Sequence, residues 1–310
     1  MNPLTAAGAT SDKSLEARRQ KMFSIIGMVV VIGAIIGGYL MEKGNLKVLV
    51  QPAELVIIGG AALGTLLIAN PLPVVIKMIK MILGVLGGDK FSKARYTDTL
   101  KMLNDLFSRG RKGGISSLEP DVEAPDKSEV FKKYDFIMKD HHVLDFICDT
   151  LRMAMTGTVS HFDLDQMIEL DLEVHHHEVG APIAALSTVA DALPGLGIVA
   201  AVLGVVITMG AIGGPPAEIG HKVAAALVGT FLGILLCYGF LGPLAGMMTK
   251  LNDSEAQYYN CLRTGLIAFV RGAAPILAVE FARRSIPSAV RPSFKEMEAA
   301  CKGVKAEAGH

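Results

Sequence analysis

The side chains that could do chemistry sort into three groups. The first is a run of histidines, His175-His176-His177-Glu178, with a second pair at His141-His142. Consecutive residues on a helix point about 100° apart, so three adjacent imidazoles cannot converge on one ion. A helical metal pair needs i, i+4 spacing. A solvated helix face accounts for both runs, and no metal is expected. The second group is the four cysteines, Cys148, Cys237, Cys261 and Cys301; none forms a CxxC, and neither a disulfide framework nor a zinc cluster is indicated. The third group is a set of hydroxyls and a thiol set deep in apolar sequence: Thr65, Thr208, Thr230, Cys237 and Tyr238. A membrane proton relay usually needs a carboxylate at depth. The only acidic residue near an apolar run is Glu54, at the rim of the second run. Either the chain moves no ion or a partner helix brings the carboxylate. Such hydroxyls also bond commonly to carbonyls of their own helix. No GxSxG, Walker loop, GxGxxG before a helix or catalytic carboxylate pair stands in a suitable context. The chain does not read as an enzyme, and no cofactor is called for.

The elements holding these residues are mostly apolar. Of 310 residues 51% are hydrophobic, and there is no Trp. Mean hydropathy is +0.43. Lys+Arg and Asp+Glu are 30 each, so charge gives no sign of nucleic acid as a partner. The apolar residues fall in four blocks rather than spreading by period, which predicts an all-α polytopic protein of the lipid bilayer. The first block is 22–41, read as an uncleaved span, preceded by Lys13, Arg18, Arg19 and Lys21. The second is 55–69, with Pro52 at its start and Pro71 and Pro73 at its end. The third and fourth, 193–212 and 223–248, form a hairpin across the turn 213–218. Each of these two is long enough for a bilayer core of about 20 residues. Neither holds Asp, Glu, Lys, Arg or His. Both are rich in glycine and carry Pro194 or Pro243, which suits a tightly packed helix rather than a lipid-facing anchor. The spacings Gly33/Gly37 and Gly60/Gly64 either let helix backbones approach closely or fall by chance in a glycine-rich chain.

The organisation that follows has five parts. Residues 1–21 are a cytoplasmic N-terminal segment, 22–70 two transmembrane helices, 71–190 a cytoplasmic helical domain, 191–250 two more transmembrane helices, and 251–310 a cytoplasmic helix and loose tail. Within the domain, 96–107 reads as a helix broken by Gly110–Gly114, 119–125 as a loop, and 130–155 and 163–178 as further helices, Ser160 lying near the cap of the last. Lys and Arg before the first span, with Lys250, Arg263 and Arg271 after the last, place both termini inside.

Several stretches carry a resemblance. Residues 191–206 (DALPGLGIVAAVLGVV), 226–236 (ALVGTFLGILL) and 239–244 (GFLGPL) resemble the MotA family of flagellar stator subunits, as do QPAELVII at 51–58, SLEPDVE at 117–123 and RPSF at 291–294. The resemblance covers residues 22–300. That family is related to ExbB and TolQ, which share the last hairpin. The resemblance implies a bacterial inner-membrane protein forming a pentameric ring around a MotB-type partner. The partner supplies the missing carboxylate, and the ring turns against the rotor protein FliG. Arg111 and Glu119 match the rotor-binding positions; Pro194 and Pro243 match the prolines that couple ion passage to movement. Thr230 matches a hydroxyl position of the ion pathway. Ala201 stands where sodium-driven members tend to carry Thr, so proton is the expected ion and sodium the alternative. Residues 1–21 depart from the family's pattern and read either as an upstream start site or as an extra contact. Pro120 after Glu119 is a second departure and stiffens that loop. Two other functions remain open from sequence: an ExbB/TolQ-type energising subunit, and a membrane scaffold that conducts nothing.

Overall fold

The computed structural model describes residues 4–85 and 90–303; the side chains of residues 4–21 and of Ser24 lie outside that description. The reading of residues 1–21 as a cytoplasmic segment therefore concerns residues outside it in large part, as does the end of the loose tail, residues 304–310. The described residues are helical and include no strand. In chain order they form α1 (Leu4–Met41), α2 (Leu46–Leu49), α3 (Pro52–Ala69), α4 (Leu72–Val85), α5 (Lys93–Gly113), α6 (Glu119–Glu123), α7 (Asp135–Met138), α8 (His141–Met155), α9 (His161–Met209), α10 (Pro216–Ile234), α11 (Gly242–Val270), α12 (Pro275–Ser285) and α13 (Phe294–Lys302). A π-helical segment, Leu235–Leu241, joins α10 to α11.

Two compact units result. Of the described residues, one unit, called apolar here, holds 15–85 and 178–251; the other, called polar, holds 90–177 and 252–303 together with 4–14. This grouping differs from the sequence boundaries at 71–190. Val75, Met78 and Val85 of α4 join a buried cluster with Ile183, Leu186 and Val189 of α9, so residues on both sides of those boundaries belong with the spans. One polar contact reinforces the join. Pro182 has no N–H to donate to the carbonyl of Glu178, four residues earlier. Lys77 Nζ donates to that carbonyl instead, at 3.4 Å.

Among the described residues three helical stretches are long and apolar enough to cross a membrane: Leu46–Ala69, and windows within His161–Met209 and Pro216–Val270. A fourth, Ile25–Met41, is apolar but shorter. In α3 the buried residues are Glu54, Ile58, Ala62 and Leu66, one stripe at i, i+4 spacing. The Gly60/Gly64 spacing lies off that stripe, and a Cβ added at Gly33, Gly37, Gly60 or Gly64 would meet nothing within 4 Å. Among the described residues those glycines therefore make no close backbone approach.

The polar unit has a conventional interior. Tyr96, Leu100, Leu103 and Phe107 of α5 pack with Tyr258, Leu262 and Leu266 of α11 and with Ala278 and Ala282 of α12. Phe107 stacks on Phe269 with centroids 4.5 Å apart. Several sequence expectations change here. Residues 130–155 are not one helix but a 3-10 turn (Phe131–Lys133), α7 and α8. The Ser128 hydroxyl accepts from the N–H groups of Val130 and Phe131, and Tyr134 donates to Asp105, which fixes a turn where periodicity alone read a helix. Residues 119–123 are a short helix rather than loop. The segment after Arg283 is not wholly loose: Ser293 and Glu296 form a capping box that starts α13, and Met297 is fully buried. Ser160 does cap the helix that follows, its hydroxyl accepting from Asp163 N–H at 3.1 Å.

Candidate functional site

Helices α9 and α10 face each other along a seam of small residues. A Cβ on Gly233 would stand 2.5 Å from the carbonyl of Leu193 and 2.9 Å from Cα of Gly197. One on Gly197 would stand 2.8 Å from the carbonyl of Gly229 and 3.3 Å from Cα of Thr230. One on Gly204 would stand 2.6 Å from Cβ of Ala226. The register is antiparallel: 193 beside 233, 197 beside 229, 204 beside 226. Only glycine permits backbones this close, and in lipid such contact is what drives helices together.

Three expected pathway residues fall along this seam. Thr230 is half-buried in it. Ala201 is half-buried next to Ala200, whose Cβ lies 3.1 Å from the position a Cβ on Gly229 would take. Pro194, also half-buried, follows Leu193. It does not begin a helix: α9 runs unbroken for 49 residues with Pro182 and Pro194 inside it. The fourth, Pro243, is exposed and is not brought to Thr230. Thirteen residues separate them, about 20 Å of helix. Between them lies the π-helical segment, in which Gly242 N–H reaches back five residues to the carbonyl of Cys237. Proline at 243 cannot donate to the carbonyl four residues before it, so a looser ladder here has a local cause. Sequence reasoning missed this segment, although the proline was its signal. The hydroxyls at depth partly follow the bland expectation: Thr208 donates to the carbonyl of Gly204 at 2.8 Å and Thr65 to that of Ala62 at 2.9 Å.

Glu54 was placed at the rim of its span by sequence. The structure buries it to 7% exposure, with Oε2 against Gly229. The available signal was that Glu54 shares the i, i+4 stripe of Ile58, Ala62 and Leu66.

In the polar unit, Arg111 lies in the last turn of α5 and Glu119 opens α6, and both are exposed. The turn between them is firmly built. A Cβ on Gly110 would stand 2.8 Å from the Phe269 ring, so α5 packs here without a side chain. Gly114, at φ +80°, reverses the chain in a region that favours glycine. Ser117 donates to its carbonyl at 2.6 Å, and Leu118 is fully buried. Beneath, buried Asp121 pairs with Arg109 at 3.2 Å and accepts from Ser128 at 2.6 Å. Pro120 sits in the first turn of α6. The two charges are thus held outward on a fixed turn rather than on a free loop.

The histidine run is only in part a solvated face. His177 is open, whereas His175 turns inward beside Tyr259, ring centroids 5.3 Å apart, and lines a cavity of about 300 Å³ with His142 and Asp145. Among the described residues no group of three or more His, Cys, Asp or Glu is placed to hold a metal.

Long apolar helices with a glycine seam and outward-facing apolar side chains mark a membrane protein. Its relatives narrow the class. Residues 25–114 match the motility protein A N-terminal family, and residues 139–260 match the MotA/TolQ/ExbB proton channel family. Motility protein A of Escherichia coli is 41% identical over 92% of this chain and 96% of its own length. Chemotaxis protein LafT of Vibrio parahaemolyticus is 37% identical over 89% of this chain and 97% of its own. Among solved structures, C. jejuni MotAB aligns with TM-score 0.71 at 16% identity, covering 86% of this chain and 96% of that one. The flagellar MotAB stator complex from Bacillus subtilis aligns with TM-score 0.68 at 22% identity, covering 83% and 92%. The chain belongs to the motility protein A family. Its role is that of a proton-channel subunit of a stator, located in a membrane.

Proposed function

We propose that five copies of this chain form a ring around a MotB-type partner in the bacterial inner membrane, and that proton flow through this complex turns the ring against FliG. Four spans cross the membrane, with both termini cytoplasmic. The observation that carries the reading is the α9–α10 seam. It holds backbone oxygens and the Thr230 hydroxyl, but the facing runs 193–212 and 223–248 themselves carry no carboxylate. A conducting partner helix must then bring the group that binds the ion, as MotB-type subunits are expected to do. The match of residues 25–114 to the motility protein N-terminal family favours the motor over an ExbB/TolQ-type helper. The exposed pair Arg111 and Glu119 supplies the charges that dock on the rotor, with Pro194 and Pro243 passing ion-driven movement along the helices. In this reading the chain needs no cofactor and catalyses no reaction on a substrate.

The ion is a proton rather than sodium. Sodium needs its shed water replaced by oxygens; a proton needs a carboxylate and a water chain. Ala201 offers a methyl at the position in question, and its neighbours Ala200 and Val202 add no side-chain oxygen. Swimming speed measured with sodium replaced by potassium at fixed pH is expected to hold. Speed that collapses without sodium and returns with it would overturn the proton reading.

A further inference from the structure

Glu54 sits where a structural residue has no need of a carboxylate. It lies in the first turn of α3, two residues after Pro52. It is 7% exposed, and its Oε2 has no hydrogen-bond partner. That oxygen points at α10: a Cβ on Gly229 would stand 2.5 Å from it. Glycine at 229 is what leaves room for the carboxyl. Gly229 is followed by Thr230 and faces Ala200, the residue before Ala201, so the acid group reaches the seam at the level of the expected pathway.

The charged groups on α10, α4 and α2 are paired elsewhere or exposed. On α10, Lys222 pairs with Glu218 at 3.1 Å, and His221 is exposed beside it. On α4, Lys77 donates to the Glu178 carbonyl, and Lys80 is exposed; on α2, Lys47 is exposed. An ionised oxygen buried without a partner is disfavoured, and a Gln or Leu would fill the same space at less cost. Acids kept at membrane depth under these terms mark proton routes.

We propose that Glu54 is a proton-accepting station on this chain's own part of the conduction path. Its carboxylate takes a proton from a hydronium entering at the Pro52 end of α3, giving a neutral carboxyl and water. The carboxyl then releases that proton through water to the next acceptor, the partner's carboxylate, and returns to its ionised form. The inference rests on the proton-conducting reading above.

The test uses membrane vesicles carrying the full chain with its MotB-type partner, with proton flux followed by a pH-sensitive dye and assembly by size in detergent. Glu54→Gln keeps shape and removes the titratable group; flux is expected to fall by about tenfold or more with assembly intact. Glu54→Asp, shorter but titratable, is expected to keep more flux than Glu54→Gln. A role in filling space alone predicts the reverse order. Gly229→Ala leaves Glu54 in place but pushes its carboxyl aside, and is expected to lower flux several-fold. It also covers the case in which Glu54→Gln does not assemble. Wild-type flux in Glu54→Gln, the reversed order, or unchanged flux in Gly229→Ala would overturn the proposal. An absence of flux in the wild-type complex would instead sink the proton-conducting reading on which it stands.

Discussion

The two units pack in opposite senses. In the apolar unit the α9–α10 seam is built of small residues, and many large apolar side chains face out. Gly197, Ala200, Gly229 and Gly233 meet in the seam, while Phe23, Val29, Val56, Ile68, Leu227 and Tyr238 face outward. In the polar unit Tyr96, Tyr258, Phe107 and Phe131 are fully buried, and charges occupy the surface. The difference is one of solvent. Water rewards burial of apolar area at roughly 25 cal/mol per Å², so the polar unit gains by hiding its largest side chains. Lipid gives no such reward, and helices there associate through close backbone contact. A single chain thus follows two packing rules, and the same kind of substitution should behave differently in each.

The largest expected effect breaks that contrast at both ends. Gly233→Leu drives a side chain into the carbonyl of Leu193 and the backbone of Gly197, neither of which can swing aside. The α9–α10 pair should separate, and the detergent-extracted protein should lose its assembled size altogether. Phe107→Ala removes a fully buried ring stacked on Phe269. It should cost about 3–5 kcal/mol in the polar unit and lower Tm while the chain still enters the membrane. An assembled Gly233→Leu complex would mean that the seam is not what joins the helices.

A smaller effect separates the units by pH. In α12, Arg283 holds Glu280 through two hydrogen bonds of 2.7 and 2.8 Å, and Arg284 adds another. The Arg283 hydrogen bonds, aided by Arg284, hold the Glu280 carboxyl down at about 2, against the pull of burial. A lowered carboxylate stabilises the fold above its unfolded value, near 4.3, and that contribution fades as pH falls toward about 2. The near-UV melting temperature of the full chain in detergent should therefore drop by a few degrees between pH 5 and pH 2.5. Glu280→Gln should flatten part of that slope. A slope identical in Glu280→Gln would remove this ion cluster as its source.

How much of this could be read from the residues follows the same division. The apolar runs are visible because lipid demands length and near-absence of charge: 55–69 lies within α3, 193–212 lies in α9 up to Met209, and 223–248 runs through α10, the π-helical segment and the start of α11. Periodicity also placed the α5 face of Leu100, Leu103, Leu106 and Phe107, all fully buried or nearly so. The seam was only half legible. Glycines at 197, 229 and 233 announced close packing, but equally spaced glycines at 60 and 64 did not take part, because which stripe turns inward depends on the partner helix. Glu54 was misjudged for the same reason. Positions near the N-terminus of a span read as rim, and only the neighbouring Gly229 makes room for a buried acid. The continuity of α9 through Pro182 and Pro194 was invisible, since proline ordinarily ends a helix. A lysine from α4 takes up the carbonyl freed at Glu178, and nothing local encodes that contact.

The smallest expected effect on stability, and the sharpest on function, is at the turn between α5 and α6. Arg111 and Glu119 touch solvent, and exposed charges contribute roughly 0–1 kcal/mol. The turn that carries them is held from beneath by Leu118, Gly114 and the Arg109–Asp121 pair, none of which the substitutions disturb. Reversing both, Arg111→Glu with Glu119→Arg, should shift Tm by no more than about 2–4 °C and leave the amount in the membrane unchanged. Complementary charge sets docking and register between partners rather than fold, so a rotor that meets the reversed pair should engage poorly. Swimming should fail or slow severely at normal protein levels. The single reversals should each retain some motility, because one matched charge survives. Normal swimming in the double reversal would show that these are ordinary solvated charges and that the rotor is met elsewhere on the polar unit. A large loss of Tm would show instead that the turn, and not the charge it presents, was what the substitutions damaged.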